Sequence, residues 1–156
     1  MHRNVRTVIT AGRGRGLQIE PRSFPQGTKT ARDAAVAIGV EVGQIVKSLV
    51  FVVDGKPTMV LLPGDRRLDE NKLAQATGGS SVDRADGDAV RRATGFPIGG
   101  VPPIGHDLPI YLDEGLLGYD EVWAAAGTWT DVFAISPTAL VDATKATVCL
   151  LSASSS

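Results

Sequence analysis

A chain of 156 residues, 43% apolar and 21% charged, suits one domain with a sizeable core, and it contains no apolar run long enough to cross a bilayer. A formal net charge of −1 excludes the broad basic surface that grips long nucleic-acid backbones, so any such contact must be local. The single cysteine, Cys149, excludes an internal disulfide and a cysteine zinc cluster, and its neighbours Val148, Leu150 and Leu151 suggest an inert core thiol.

Arg3, Arg6, Arg13 and Arg15 all precede the first acidic residue, Glu20, as in an organelle transit peptide, but Val5, Val8 and Ile9 recur at helical spacing and favour an ordinary first helix. With no apolar run of secretory-signal length, the expected location is the cytoplasm. Leu17 to Phe24 mixes apolar and polar residues as an edge strand does, with Pro21 tolerated only at an edge or bulge. Thr30-Ala31-Arg32-Asp33 is a capping pattern that opens a short helix, and Gly39 stops it. Two β-branched runs, Ile45 to Val53 and Pro57 to Leu62, are joined by Asp54-Gly55-Lys56 and predict a hairpin. Two helices follow, Asp69 to Thr77 and Asp86 to Thr94, each with an aspartate at its start and a glycine after its end. Short strands are expected at Ile110 to Leu112, Val122 to Ala126 and Val132 to Ile135, then a helix from Ser136-Pro137 and a last strand from Ala146 to Leu151. The expected fold is α+β: one domain over residues 1–151, a mixed, mostly antiparallel curved sheet with flanking helices, and a loose tail from Ser152 to Ser156.

One stretch has no place in helix or interior strand. From Gly95 to Gly105, seven of eleven residues are glycine or proline. Pro102 and Pro103 have no N–H, so the donors beside them are the amides of Gly99, Gly100 and Val101, two of which carry no Cβ to hold a ligand away. That describes an oxyanion cradle, and it equally describes a stiff corner between a helix and a strand.

Lys47 is the one cation in the run Ile45 to Val53 and needs an anion. Either it reaches solvent or an internal carboxylate, or its partner is a ligand phosphate or carboxylate. Ser48 is adjacent, but consecutive strand residues face opposite ways, which argues against a serine-lysine hydrolase. The remaining histidines and glycines offer little: His2 lies at the terminus, His106-Asp107 reads as a solvated loop pair, and Gly12-Arg13-Gly14-Arg15-Gly16 follows no strand that would make it a dinucleotide fingerprint. No metal-ligand cluster and no strong general base emerges. The small residues Ala124-Ala125-Ala126-Gly127-Thr128 leave room for a ligand or for tight packing.

Three segments together, residues 39–51 (GVEVGQIVKSLVF), 93–105 (ATGFPIGGVPPIG) and 122–128 (VWAAAGT), resemble the YbaK/EbsC-type aminoacyl-tRNA deacylases, which are related to the editing domain of bacterial prolyl-tRNA synthetase. The resemblance implies hydrolysis of the ester between a wrong amino acid and tRNA, most directly alanyl- or cysteinyl-tRNA for proline, with no metal or organic cofactor. It implies catalytic roles for Lys47 and Gly100, with Thr30, Ser48, Gly99, Val101, Pro102, Pro103, Ala126, Gly127 and Thr128 around the substrate. Water would be the nucleophile, activated by a ribose hydroxyl of the tRNA. The implied partner is the acceptor end of aminoacyl-tRNA, held with the help of local arginines (Arg3, Arg6, Arg91, Arg92), and a synthetase is a further candidate partner. Thr30 stands where some relatives have an aromatic residue and Ala126 where some have serine, so the amino acid removed is left open. Trp129 is a candidate stacking platform for the terminal adenine, or a half-buried surface residue. The competing reading from another class is a non-catalytic module that binds a nucleotide, an amino acid or the tRNA end.

Overall fold

The hairpin is the frame on which the other elements are hung. In the computed structural model, which describes residues 1–153, β2 (Val46–Val53) and β3 (Lys56–Pro63) pair antiparallel in one unbroken register from Val46 opposite Pro63 to Val53 opposite Lys56. The turn is two residues long, not three. Asp54 and Gly55 both have positive φ, 49° and 82°, which matches the right-handed twist of the strands, and Lys56 already belongs to β3. Asp54 is held there by its own carboxylate, which accepts from the amides of Ser80 and Ser81. These bonds hold its carboxyl below the usual range.

β3 is buried on both faces, with Met59, Val60, Leu61 and Leu62 all inaccessible to solvent. Its continuous apolar run reflects that position. On one side it carries β2, which in turn pairs antiparallel with β4 (Val82–Arg84); on the other it runs parallel to β5 (Ile110–Asp113), which is parallel to β8 (Thr147–Cys149). A second sheet orders β1 (Arg22–Ser23), β7 (Asp131–Ile135) and β6 (Val122–Ala125), all antiparallel. The expected mixed, mostly antiparallel α+β fold is therefore present, divided into sheets of five and three strands that meet through a parallel bridge between Ile45 and Trp123.

Among the described residues five helices flank the sheets: α1 (Arg3–Arg13), α2 (Ala31–Ile38), α3 (Glu70–Thr77), α4 (Gly87–Thr94) and α5 (Pro137–Thr144). The capping residues act as the sequence indicates. The side chains of Thr30, Asp69, Asp86 and Ser136 each accept from amides of the first turn, and Gly39, Gly78 and Gly95 take the left-handed conformation after the last. Three apolar clusters result. The largest joins Val8, Met59, Leu61, Leu112 and Phe133; a second gathers Phe51, Val60, Leu62, Leu73 and Leu151 on the opposite face of the hairpin; the third sits under α2 around Ala34, Trp123 and Val132.

Several expectations are corrected. Leu17 to Pro21 makes no strand, because Ile19 packs into the space left by Gly12 on α1, and only Arg22 and Ser23 pair with β7. The last strand stops at Cys149, whose thiol is half-buried rather than in the core; burial first, then the carboxylates of Asp113 and Glu114, push its pKa up, so it is still a poor nucleophile. The tail is not loose at Ser152. That residue is buried, bridges to Leu68 and meets Asp113, while Ser154 to Ser156 lie outside the described residues. Among the described residues no helix is long and apolar enough to cross a membrane.

Candidate active site

Between β2 and β6, where the two sheets diverge after the Ile45 and Trp123 bridge, lies a cavity of about 380 Å³. Its walls come from the start of α2, the middle of β2, Arg84 at the end of β4, Val90 of α4, β6 and the loop Ile98 to Val101. Lys47 is among its lining residues together with Gly99 and Val101, whereas Arg66, whose carbonyl holds the ammonium, is not. The walls are mostly small and apolar, among them Ala31, Ala34, Val46, Val50 and Ala124. Such a volume and lining suit a small organic ligand.

The polar lining is one-sided. Lys29, Lys47 and Arg84 all contribute to the wall, and no aspartate, glutamate or histidine does. Among the described residues no carboxylate lies within 4 Å of the Lys47 ammonium, the one such ion pair being Arg66 with Asp65. Lys47 instead donates to the backbone carbonyl of Arg66. Burial first, then the nearby charge of Arg84, lowers its pKa from the usual lysine value, while Asp65 partly offsets them. A half-buried ammonium with cationic neighbours is held at a cost that a bound anion would relieve. The start of α2, at Thr30 and Ala31, faces the same space and adds the positive end of a helix dipole.

The loop departs from expectation at one atom. Gly100 donates its N–H to the carbonyl of Pro97 at 2.9 Å, closing a turn whose third residue, Gly99, has φ of 85°. A turn of this kind needs positive φ there, which is why a glycine is required. The Gly100 amide is thus committed to the loop, and Gly100 does not line the cavity. The amides of Gly99 and Val101 have no protein acceptor among the described residues, and both residues do line it. A cradle of two donors, not three, is what the chain offers.

Other expected site residues stand behind the wall. Pro102 and Pro103 are buried away from the cavity, and Pro102 accepts from Nε2 of His106 at 3.0 Å. His106 is therefore not a solvated loop residue: burial first lowers its pKa, and the neighbouring Arg15 adds to this. Ala126 is in the core; Gly127 packs on Asn4 and Phe96; the backbone of Thr128 lies so close to Gly100 that a Cβ there would meet it at 3.0 Å. Thr128 is itself fixed by its hydroxyl, which donates to Asp131 and accepts from the amides of Thr130 and Asp131. These residues form a template for the loop. Thr30 and Ser48 do line the cavity, but the Thr30 hydroxyl caps α2, and Ser48 Oγ is buried without a hydrogen-bond partner. Ser48 shares its strand face with Val46 and Val50, Lys47 with Leu49 and Phe51, so the two side chains do not form a pair.

Trp129 is 46% exposed, the half-buried surface residue of the second reading, and it makes contacts of its own. Its indole N–H donates to the carbonyl of Ile98 at 2.8 Å, and the Lys29 ammonium lies 4.0 Å from the ring centroid. Its own carbonyl accepts from the Thr28 amide at 2.6 Å. The residue ties the segment before α2 to the loop. Lys29 and Arg84 escape sequence reasoning, since each sits in a polar stretch with nothing to distinguish it from a solvated charge.

Comparison with known proteins bears on this site. A family model described as "Aminoacyl-tRNA editing domain" matches residues 25–143. The proline–tRNA ligase of Maridesulfovibrio salexigens is 37% identical over 92 residues, which is 58% of this chain and 16% of that protein, so the chain spans about one sixth of the length of such ligases. A Bacillus subtilis protein, uncharacterized YwhH, is 33% identical over 117 residues, covering 73% of this chain and 74% of that one. Among solved structures, a "putative trans-editing enzyme for prolyl tRNA synthetase" superimposes with a TM-score of 0.92 at 45% identity over 99% of both chains. The hypothetical protein APE2540 superimposes at 0.86 with 32% identity, over 96% of this chain and 99% of that one. With a family match that embraces α2, the hairpin and the glycine-proline loop, the chain belongs to the aminoacyl-tRNA editing domain family.

Proposed function

We propose that the chain is a trans-editing hydrolase that frees a wrongly attached amino acid from tRNA, acting on alanyl- or cysteinyl-tRNA for proline. The observation that carries this reading is the one-sided lining: three cationic residues and two residues with unpaired amides border a mostly apolar space, with no acid or imidazole among them. In the proposed mechanism the aminoacyl group occupies the apolar part, and Lys47, with Arg84, neutralises the terminal phosphate. Water attacks the ester carbonyl, whose oxygen gains negative charge and receives the amides of Gly99 and Val101. A ribose hydroxyl of the tRNA takes the water's proton and hands its own on to the departing ribose oxygen, a relay that replaces the general base the lining lacks. Collapse of the tetrahedral species breaks the bond to the ribose oxygen, which is protonated, leaving free amino acid and intact tRNA. Each oxyanion donor contributes about 3 kcal/mol in sites of this type. The small walls agree with a small amino acid, of the kind a synthetase pocket cannot reject by binding energy alone.

The test is single-turnover release of amino acid from tRNA charged with alanine, cysteine, serine, threonine or proline. We expect at least one wrong ester to be cleaved about 100-fold or more above background while the prolyl ester is spared; background rates on every member would refute the reading. One observation favours a module that binds the acceptor end without cleaving it: the Lys47 ammonium rests on the Arg66 carbonyl. Saturable binding with background rates would select that alternative.

The Trp129 contact gives a separate expectation. Trp129→Phe keeps a ring under Lys29 but removes the donor to Ile98, so the turn that carries Gly99 loses its brace. We expect kcat to fall about 3- to 10-fold with KM nearly unchanged, the loss of roughly one neutral hydrogen bond expressed at the oxyanion loop. A rise in KM with kcat intact would instead make Trp129 a substrate-binding residue.

A further inference from the structure

A second concavity, an open groove of about 660 Å³, lies along α1, and nothing in the mechanism uses it. Residues 3, 6, 7, 10 and 14 recur at helical spacing and put Arg3, Arg6, Thr7 and Thr10 on its wall, while Val5, Val8 and Gly12 are buried on the opposite face. Arg15, whose guanidinium is steadied by the carbonyl of Ala143 at 2.9 Å, closes one end. Three guanidinium groups thus share the groove with a single carboxylate, Asp107, and none of the three has an ion-pair partner among the described residues. In a chain of net charge −1 this is a local excess of positive charge.

Shape narrows the ligand. The eleven residues of α1 make a wall about 16 Å long, several phosphates' worth rather than one. Position narrows it further. The groove's far wall is Gly105 and His106, at the end of the same glycine-proline stretch whose middle, Gly99 and Val101, lines the cavity. Six residues cannot span more than about 20 Å, so a strand whose terminus entered the cavity would reach the groove within a few nucleotides. On the near side Asn4 Nδ2 donates to the carbonyl of Gly127 at 2.9 Å, which joins α1 to the template behind the loop.

We infer that the α1 groove is a docking surface for the sugar-phosphate backbone of an RNA, the acceptor stem that continues from the chain end held in the cavity. The inference rests on the proposed deacylation for what occupies the cavity, and adds a separate surface that grips RNA by charge and shape. Arginine side chains spaced along a helix suit phosphates, and the threonine hydroxyls suit ribose hydroxyls. Binding here is independent of base sequence.

The experiment compares wild type with the double variant Arg3→Glu, Arg6→Glu. Both residues are exposed, and carboxylates in a first helical turn favour the dipole, so the fold is retained. Fluorescence anisotropy with uncharged tRNA reads the surface without any chemistry. We expect Kd to rise about tenfold or more and the salt dependence of binding to flatten by about one unit of slope per arginine. Deacylation then separates the two sites. KM for misacylated tRNA should rise in step, while cleavage of a misacylated trinucleotide that has no duplex is unchanged. Equal affinity and equal salt slope in the two proteins would overturn the inference, as would an equal loss on the trinucleotide. A wild type that binds tRNA through these arginines yet cleaves no ester would refute the catalytic reading and leave the surface standing.

Discussion

Lys47→Ala should abolish release of amino acid, with a loss of about 100-fold or more, and Lys47→Met should do the same while raising the melting temperature. The two effects have one cause. The ammonium is half-buried beside Arg84 and Arg67 with no carboxylate in contact among the described residues, which depresses its pKa. A bound phosphate would convert that unfavourable setting into a charge-assisted contact, of the kind whose truncation costs 2 kcal/mol or more at about the level seen for paired charges in binding sites. Linkage fixes the direction of the stability effect. Because the folded-state pKa lies below the unfolded value near 10.5, the unfolded chain holds the extra proton between the two. The wild type therefore gains stability as pH rises through that window toward 10.5, whereas Lys47→Met lacks this rise and is the more stable at neutral pH. Thermal melts at pH 7 and 10 together with single-turnover rates check both limbs. An active Lys47→Ala protein would remove the lysine from the mechanism, and a less stable Lys47→Met protein would show that the ammonium is satisfied without ligand.

Asp113→Ala should produce the largest loss of stability, about 3 kcal/mol or more, which for a chain of this size lowers the melting temperature by about 10 °C. Asp113 ends β5 with no solvent exposure. One carboxylate oxygen accepts from the amides of Leu151 and Ser152 at 2.8 and 2.9 Å; the other accepts from the Gly115 amide and the Ser152 hydroxyl at 3.0 and 3.3 Å. Alanine would leave three buried donors and the part-buried Gly115 amide without this acceptor, and each buried donor carries a desolvation penalty of its own. Asp113→Asn keeps an acceptor for one pair and should fall between. The damage should also reach the active site. Ser152 bridges to Leu68 and Ala153 donates to the Arg67 carbonyl, so this anchor steadies the segment whose Arg66 carbonyl receives Lys47. Chemical denaturation measures the effect, and a midpoint close to wild type would mean that water replaces the carboxylate.

What the sequence made legible was local. The Asp54-Gly55 turn, the four capping side chains and the left-handed glycines act within a few residues of themselves, so their chemistry could be read in order along the chain. The meeting of Lys47 with the glycine-proline loop was legible only through the resemblance, since about fifty residues separate them. The division into two sheets was not legible, because the parallel pairing of β3 with β5 joins segments that carry no mark of their order. That the Gly100 amide closes a turn was not legible for a conformational reason: which of two adjacent glycines spends its amide on the turn depends on the backbone angle of Gly99, which composition does not encode. Lys29 and Arg84 acquire their roles only when distant segments close around them. Asp113 drew no reading at all, since it falls just beyond the expected strand Ile110 to Leu112 and its four donors come from residues that follow or lie far along the chain.

The seam between the two sheets has a further consequence. Around the Ile45 and Trp123 bridge no continuous ladder sets the spacing of β2 and β6, so the width of the cavity is governed by the bulk of side chains such as Ala34, Trp123 and Val132 that prop it open. Exchanging those props alters the internal gauge while each sheet keeps its own hydrogen bonds. A scaffold built this way can be retuned from one small acyl group to another by single replacements, with the frame that aims the lysine and the loop left as it was.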